Sequence, residues 1–296
     1  MFAAGAVLTP PEANAQPLPR TECGALVHAG EALGFVAFPQ GDLFCPRLGD
    51  PKEPRTFASV LSGESPAQGD AIEPLLPFET TIGAVGVGDA IGIVRWGGAR
   101  PGDGLQISIA ASIFAQFDME TESFDLINAD YIVAIPVTLR RGAFSSRLRV
   151  YHQSSHLGDE FLLRAEPERV NLAFESIELI LSQAFGPVRV YAGGEQLFNR
   201  EPEDLEARVA HGGIELRSSP SRTASLIAAI DAKASGQQDW KPAWSARAGF
   251  EVGWARDPGH PPRRLQLLGE FYDGPSPYGQ FHRDQVRSWG IGLHLW

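Results

Sequence analysis

The sequence predicts an all-β fold, a transmembrane antiparallel β-barrel of about twelve strands (10 to 12) preceded by an irregular N-terminal segment. Three observations predict it. From Leu105 to Phe117 every odd residue is apolar, while Gln106, Ser108, Ser112 and Gln116 fall on the other face. The same dyad recurs over Ile127 to Leu139 and over Trp244 to Trp254. Strands of soluble sandwiches run to about five or six residues, whereas a strand tilted across a bilayer needs about nine to eleven with strict alternation. These segments have the bilayer length. Second, the connectors alternate between short and long, as they do when short turns face one side of a membrane and longer loops the other. Third, the chain ends on an alternating strand, Ser288 to Trp296, closed by an aromatic residue.

Composition narrows the classes further. The 296 residues suffice for one large barrel and an extra segment, and 43% of them are hydrophobic. No run approaches the roughly 18 apolar residues of a spanning helix, because a barrel strand hides its apolar face in alternation. The net charge of −11 opposes a nucleic-acid partner, which needs basic patches.

Taken in order, residues 1–15 read as a signal peptide. Met1 to Leu8 are small and apolar, and Ala13-Asn14-Ala15 has the small-x-small form of a cleavage site; the basic n-region is missing, as when a start codon is placed too late. Residues 16–78 are rich in Pro and Gly without a sustained period. They read as an irregular periplasmic segment, or one partly plugging the barrel. The two cysteines, Cys23 and Cys45, both lie in it; an oxidising periplasm permits their pairing, and two free thiols remain the other reading.

The barrel is expected over 79–296. Its strands are read at 79–87, 89–96, 105–117, 126–139, 144–157, 170–185, 187–198, 208–218, 223–235, 243–256, 263–273 and 286–296. Gly83, Gly86, Gly88 and Gly92 dilute the first two. Connectors 140–143, Gly186, 219–222 and 257–262 are short, and 158–169, 199–207, 236–242 and 274–285 longer. That arrangement puts both termini in the periplasm. In the last strand Trp289, Ile291, Leu293 and Leu295 share a face and Trp296 is out of phase, which a terminal bulge or an interfacial Trp would accommodate. Terminal strands of bacterial outer-membrane barrels carry such an aromatic signal, and the resemblance implies recognition of Trp296 by the barrel-assembly machinery.

Polar residues are densest from Leu148 to Glu160. Leu148 and Val150 mark the lipid face of that strand, so His152, Ser154 and His156 continue it. Antiparallel pairing about the middle of 158–169 sets position 175 opposite 152. Ile177, Leu179 and Leu181 are apolar there, so Glu175 shares the outer face. A serine nucleophile, a histidine base and an orienting carboxylate would then meet outside the barrel. A slipped register would bring Glu166 or Asn171 to the third place. Asp159 and Glu160 offer paired oxygen donors for Ca2+.

The His-x-Ser pair resembles that of outer membrane phospholipase A, a twelve-stranded calcium-dependent enzyme, and that of the lipid A 3-O-deacylase. The resemblance implies a lipid acyl hydrolase acting on phospholipid or lipopolysaccharide, with His152 as base, Ser154 as nucleophile and Glu175 or Glu166 as orienting acid. Ser155 departs from it, since both families prefer Asn there. Three segments, Leu48 to Arg55, Tyr151 to Leu163 and Ser276 to Phe281, resemble the bacterial family catalogued as domain of unknown function 1207, which implies an outer-membrane barrel and no particular reaction.

A second candidate lies inside. Arg147, Arg149, Tyr151, Glu178, Arg189, Tyr191, Glu195, Glu215, Arg217, Asp231, Lys233, Arg247 and Glu251 mostly have lumen-facing parity. Such mixed charges line a narrow solute pore or, as the reading favoured here, pair within a closed wall.

Overall fold

The computed structural model describes residues 34–64, 79–100, 102–166, 170–218, 224–254 and 263–295. The expected signal peptide, Cys23 and Trp296 lie outside the described residues. Twelve antiparallel strands close on themselves: β2 (Thr56–Glu64), β3 (Glu79–Gly97), β4 (Gly104–Asp118), β5 (Leu126–Arg141), β6 (Phe144–Leu157), β7 (Leu172–Phe185), β8 (Val188–Glu201), β9 (Arg208–Arg217), β10 (Ala224–Ser235), β11 (Ala243–Trp254), β12 (Arg263–Pro275) and β13 (Gln285–Leu295). A short β1 (Phe35–Ala37) pairs outside the ring with the end of β3, and α1 (Asp159–Ala165) caps the β6–β7 loop.

Closure can be measured from the register. Followed from strand to strand once round the ring, the partner of Gly97 returns to β3 at Thr80, a displacement of 17 residues (97 minus 80) that includes one bulge at Gly92/Val94. With strands about 4.8 Å apart and a rise of about 3.3 Å per residue, that shear tilts the strands by roughly 45°. Each residue then climbs about 2.3 Å along the barrel axis, so about eleven residues cross a ~25 Å apolar band. Strand length, tilt and bilayer thickness agree.

Alternation sorts the side chains as parity requires. On β4 the odd residues Ile109 and Ile113 are exposed while Gln106, Ser108 and Ser112 are buried. Polar groups therefore face the lumen and apolar groups the outside. The two-residue turns at 142–143 and 186–187 mark a turn end, where β13 also finishes; α1 and the long 276–284 segment mark a loop end.

The expected count of twelve is met by a different set of strands. Residues 79–87 and 89–96 are one 19-residue strand, β3, and the remaining wall strand is β2, which lies within the stretch expected to be irregular. The wall thus begins at Thr56 rather than at 79. Both differences have a physical reason. On β2 the inward residues include apolar Phe57 and Leu61 beside Ser59, and the outward ones include polar Thr56 and Ser62 beside Ala58 and Val60, so both faces are mixed and the bilayer alternation is blurred. The glycines of β3 are points of close approach: a Cβ on Gly86 would strike the Phe57 ring, on Gly88 the Ser112 Cβ (2.7 Å) with the Pro54 Cα next at 3.2 Å, and on Gly92 Pro39.

What approaches is residues 39–55, which run inside the barrel rather than free of it. Arg47 is fully buried and reaches Glu53 (2.8 Å), Asp50 (2.6 Å), Glu178 (3.4 Å) and His211 (2.6 Å). Wall arginines clamp the carbonyls of this segment: Arg95 donates to Gln40 and Gly41, Arg189 to Cys45, and Arg247 to Leu48 and Asp50. A guanidinium carries five donors and no acceptor, which suits it to irregular backbone with unpaired C=O groups. Cys45 is disulfide-bonded. The inward charges thus pair with one another and with the inner segment.

Candidate functional site

The exterior site is built on the ladder between β6 and β7. The register pairs His152 with Glu175, the partner expected from the centre of the intervening loop, and the imidazole Nδ1 lies 3.2 Å from Glu175 Oε1. Both side chains stand on the outer face, His152 half accessible and Glu175 a third. Ser154 is on the same face, opposite Ala173 of β7 and Tyr131 of β5. Residues two apart on a strand lie about 6.6 Å apart along it, which puts the hydroxyl within an imidazole's reach. No hydrogen bond joins Ser154 to His152 among the described residues; such bonds are often long without substrate and tighten when it binds.

Depth supports the same face. His152 is five residues from the loop end of β6, and His156 meets the ring of Tyr131 edge-on at 5.8 Å. Amphipathic rings of this kind gather where hydrocarbon meets headgroups, the level at which lipid esters lie. Nδ1 donating to Glu175 would leave Nε2 free as the acceptor for the Ser154 proton, and Glu175 Oε2 has no partner.

The other candidates lie elsewhere. Glu166 is the left-handed residue that ends α1, and Asn171 bonds Glu201 of β8, so neither joins His152. Asp159 and Glu160 are exposed in the first turn of α1. As successive helical residues they diverge by about 100°, and no third donor joins them among the described residues. They do not fit a Ca2+ site. The one group of three metal-capable donors among the described residues is Asp50, His211 and Asp231, deep in the lumen. There Arg47 already holds His211 Nδ1, and His211 Nε2 faces Asp231 at 2.8 Å, so each group is satisfied without an ion.

Sequence reasoning missed a luminal cluster beside this wall. Ser155, which departs from the His-x-Ser families, points inward, away from His152 and Ser154, and its hydroxyl donates to Asp130 of β5. Asp130 is fully buried and also accepts from Lys52 Nζ (2.6 Å) and the Gly279 N–H (3.1 Å). Gln280 completes the junction: its N–H donates to Ser155 Oγ (3.1 Å) and its amide to the carbonyls of Ser155 (2.7 Å) and Val170 (2.9 Å). Lys52 Nζ stands 3.8 Å over the Tyr278 ring and 4.7 Å over Phe114. The cluster pins the 276–284 segment into the loop end, where Phe281 packs edge-on against Phe161 of α1. The signal available in the sequence was compositional: Asp130 is the one carboxylate of β5 and lies on its inward parity.

A closed twelve-stranded ring with an apolar outer wall, a polar filled lumen and aromatic side chains near the loop end defines an outer-membrane-type β-barrel protein. The family model described as "Protein of unknown function (DUF1207)" matches residues 6–296, and the chain belongs to that family. No curated protein matches it in sequence. Among solved structures it is similar to outer membrane phospholipase A from Escherichia coli, with a TM-score of 0.51 at 10% identity over 83% of this chain and 93% of that one. It is similar also to the calcium-bound outer membrane phospholipase dimer of Salmonella typhi, with a TM-score of 0.53 at 8% identity over 83% and 93% of the two chains. An active-site mutant of the E. coli phospholipase gives a TM-score of 0.53 at 8% identity over 93% and 98%. At such identities the likeness is one of fold.

Proposed function

We propose that the protein is an outer-membrane acyl hydrolase that removes acyl chains from membrane lipids at its outer wall, with both termini in the periplasm. The observation that carries this reading is the His152–Glu175 pair on the outer face, with Ser154 two residues along the strand on the same face. In this reading the Ser154 hydroxyl attacks the ester carbonyl carbon as His152 Nε2 takes its proton. Glu175 holds Nδ1–H and steadies the imidazolium. His152 then returns the proton to the departing alcohol, and water releases the acyl group by the same steps in reverse roles. The likeness in fold to the phospholipases is in keeping with lipid as substrate. Insertion through the terminal strand belongs to the same proposal, Trp296 itself lying outside the described residues.

The test is mass spectrometry of lipids after reconstitution with phosphatidylethanolamine in one arm and lipid A in the other, each with and without added Ca2+. The wild type should release free fatty acid in one arm. His152→Ala and Ser154→Ala should abolish the release, and Glu175→Gln should slow it by roughly 10²-fold or more, the scale of losing an imidazole's orienting partner. Intact lipid in both arms, or unaltered release by Ser154→Ala, would overturn the proposal.

The filled lumen favours a closed wall over a solute pore. Planar-bilayer recordings should then show no steady single-channel current.

A further inference from the structure

Attack of Ser154 on an ester puts negative charge on the carbonyl oxygen, and a hydrogen-bond donor has to lie where that charge develops. The sheet itself excludes a main-chain donor at this point. β6 is an interior strand, and the ladders to β5 and β7 both run through position 154, with Ser154 opposite Tyr131 on one side and Ala173 on the other. The N–H groups around it therefore lie in the plane of the sheet and are spent on the neighbouring strands. The ladder break that adjoins the site, between Ala173 and Glu175, is on the far side of β7, toward β8. The donor must then be a side chain on the outer face.

The register leaves few choices. Apart from alanines and a valine, the neighbours of Ser154 on that face are His152 and Glu175, already paired, Asn171, which bonds Glu201, and then Tyr131 and His156. Tyr131 is the nearer of the last two. Directly opposed residues have Cβ atoms about 4.5–5.5 Å apart, whereas His156 is two residues on, about 6.6 Å along the strand. The Tyr131 side chain is exposed, and its hydroxyl has no hydrogen-bond partner among the described residues. Its ring meets that of His156 edge-on, with centroids 5.8 Å apart, a contact that bridges β5 and β6 on the loop side of Ser154. A fixed phenol with an unused O–H thus stands beside the nucleophile.

We propose that the Tyr131 hydroxyl is the oxyanion donor of the exterior site, an assignment that rests on the Ser154 hydrolase reading. As Ser154 Oγ bonds to the carbonyl carbon, its proton passes to His152 Nε2 and the carbonyl π pair moves onto oxygen, which accepts the Tyr131 O–H. The phenol keeps its proton throughout. The pair on oxygen then restores the C=O, the bond to the alcohol breaks, and His152 protonates the departing alcohol. The full chain in detergent micelles is assayed with para-nitrophenyl hexadecanoate and with its thionoester, in which sulfur, a weak acceptor, replaces the carbonyl oxygen. Tyr131→Phe keeps the ring beside His156 and removes only the hydroxyl, so a purely structural role would survive it, and heat-modifiable gel migration checks its folding. Ester turnover should fall about 10²-fold, mostly in kcat, and the ester-to-thionoester ratio at least about tenfold, the scale of one lost oxyanion donor. Loss of turnover in Ser154→Ala together with ester turnover or a ratio unchanged in Tyr131→Phe overturns the assignment alone. Turnover absent from the wild type, or retained in Ser154→Ala, overturns the hydrolase reading and the assignment with it.

Discussion

Removing the Asp130 carboxylate should unlatch the loop end and cost a large share of the barrel's stability. In Asp130→Ala the Lys52 ammonium, whose side chain is only 13% accessible, keeps its place without its anion. Breaking one side of a buried pair costs about 3–5 kcal/mol, because the charge left behind is still desolvated. The Ser155 hydroxyl and the Gly279 N–H lose their acceptor in the same step, at about 1–3 kcal/mol for each group left unsatisfied. Together these come to at least about 5 kcal/mol. Lys52→Met/Asp130→Ala removes the stranded charge and keeps the stem that packs near Tyr278 and Phe114, so it should recover about 2–3 kcal/mol of that loss. Reversible urea unfolding in detergent micelles measures both, read by the fluorescence of the six tryptophans. Equal midpoints for the single and double variants would refute the reasoning, and so would a single variant within about 1 kcal/mol of wild type.

Two further predictions concern the wall and the mouth. Ala111 faces outward near the middle of β4, so Ala111→Arg should lower stability by about 2–4 kcal/mol, the cost of a charge at the bilayer midplane, measured as a shift in the urea midpoint. Asp284, in the segment over the loop end, has its carboxyl pushed up to about 6 by burial, and its Oδ2 has no partner. Its folded value lies above its ordinary one, so the contribution of the protonated form is full below about pH 4 and is lost as pH rises through about 6. Trypsin should therefore cut after the exposed Arg283 faster at pH 7.5 than at pH 5.5 once the enzyme's own pH dependence is divided out, and Asp284→Asn should flatten that ratio. An identical ratio in the variant would exclude Asp284 as the cause.

How much of this was legible in the sequence depends on which contacts each feature needs. The β4 and β5 strands were readable because a bilayer imposes one rule on every outward residue, and their outward residues obey it. The pairing of His152 with Glu175 was readable because a hairpin's register follows from the centre of its own loop. β2 was not, because its inward residues pack on an apolar part of the lumen: Phe57 lies 6.2 Å from the Phe114 ring and 5.0 Å from that of His294. The rule of polar inside and apolar outside fails where the inside is a core. Nor was the single β3 readable, since a glycine that admits a neighbouring backbone looks, in one dimension, like one that turns the chain.

The luminal cluster escaped for a related reason, and it accounts for three stretches of sequence that no strand rule explains. Lys52 comes from the inner segment, Ser155 from β6, and Gly279 with Gln280 from the last long loop, and they meet at one carboxylate, Asp130. Each lies more than 70 residues from at least one of the others, so no local period records the contact. Their identities are set by the junction: a Cβ on Gly279 would lie 2.8 Å from the Cβ of Ser155, and an acceptor other than Asp130 would leave the Lys52 charge buried alone. The same alternation that sends Ser155 inward sends Ser154 outward. One dipeptide thus serves two faces, a latch at the loop end and a hydroxyl turned outward, and Ser155→Ala should loosen the loop end while leaving the His152–Glu175 pair in register. Trypsin cleavage after Arg283 should accelerate in that variant while release of fatty acid persists; lost release with an intact loop end would put the two serines on one site instead of two.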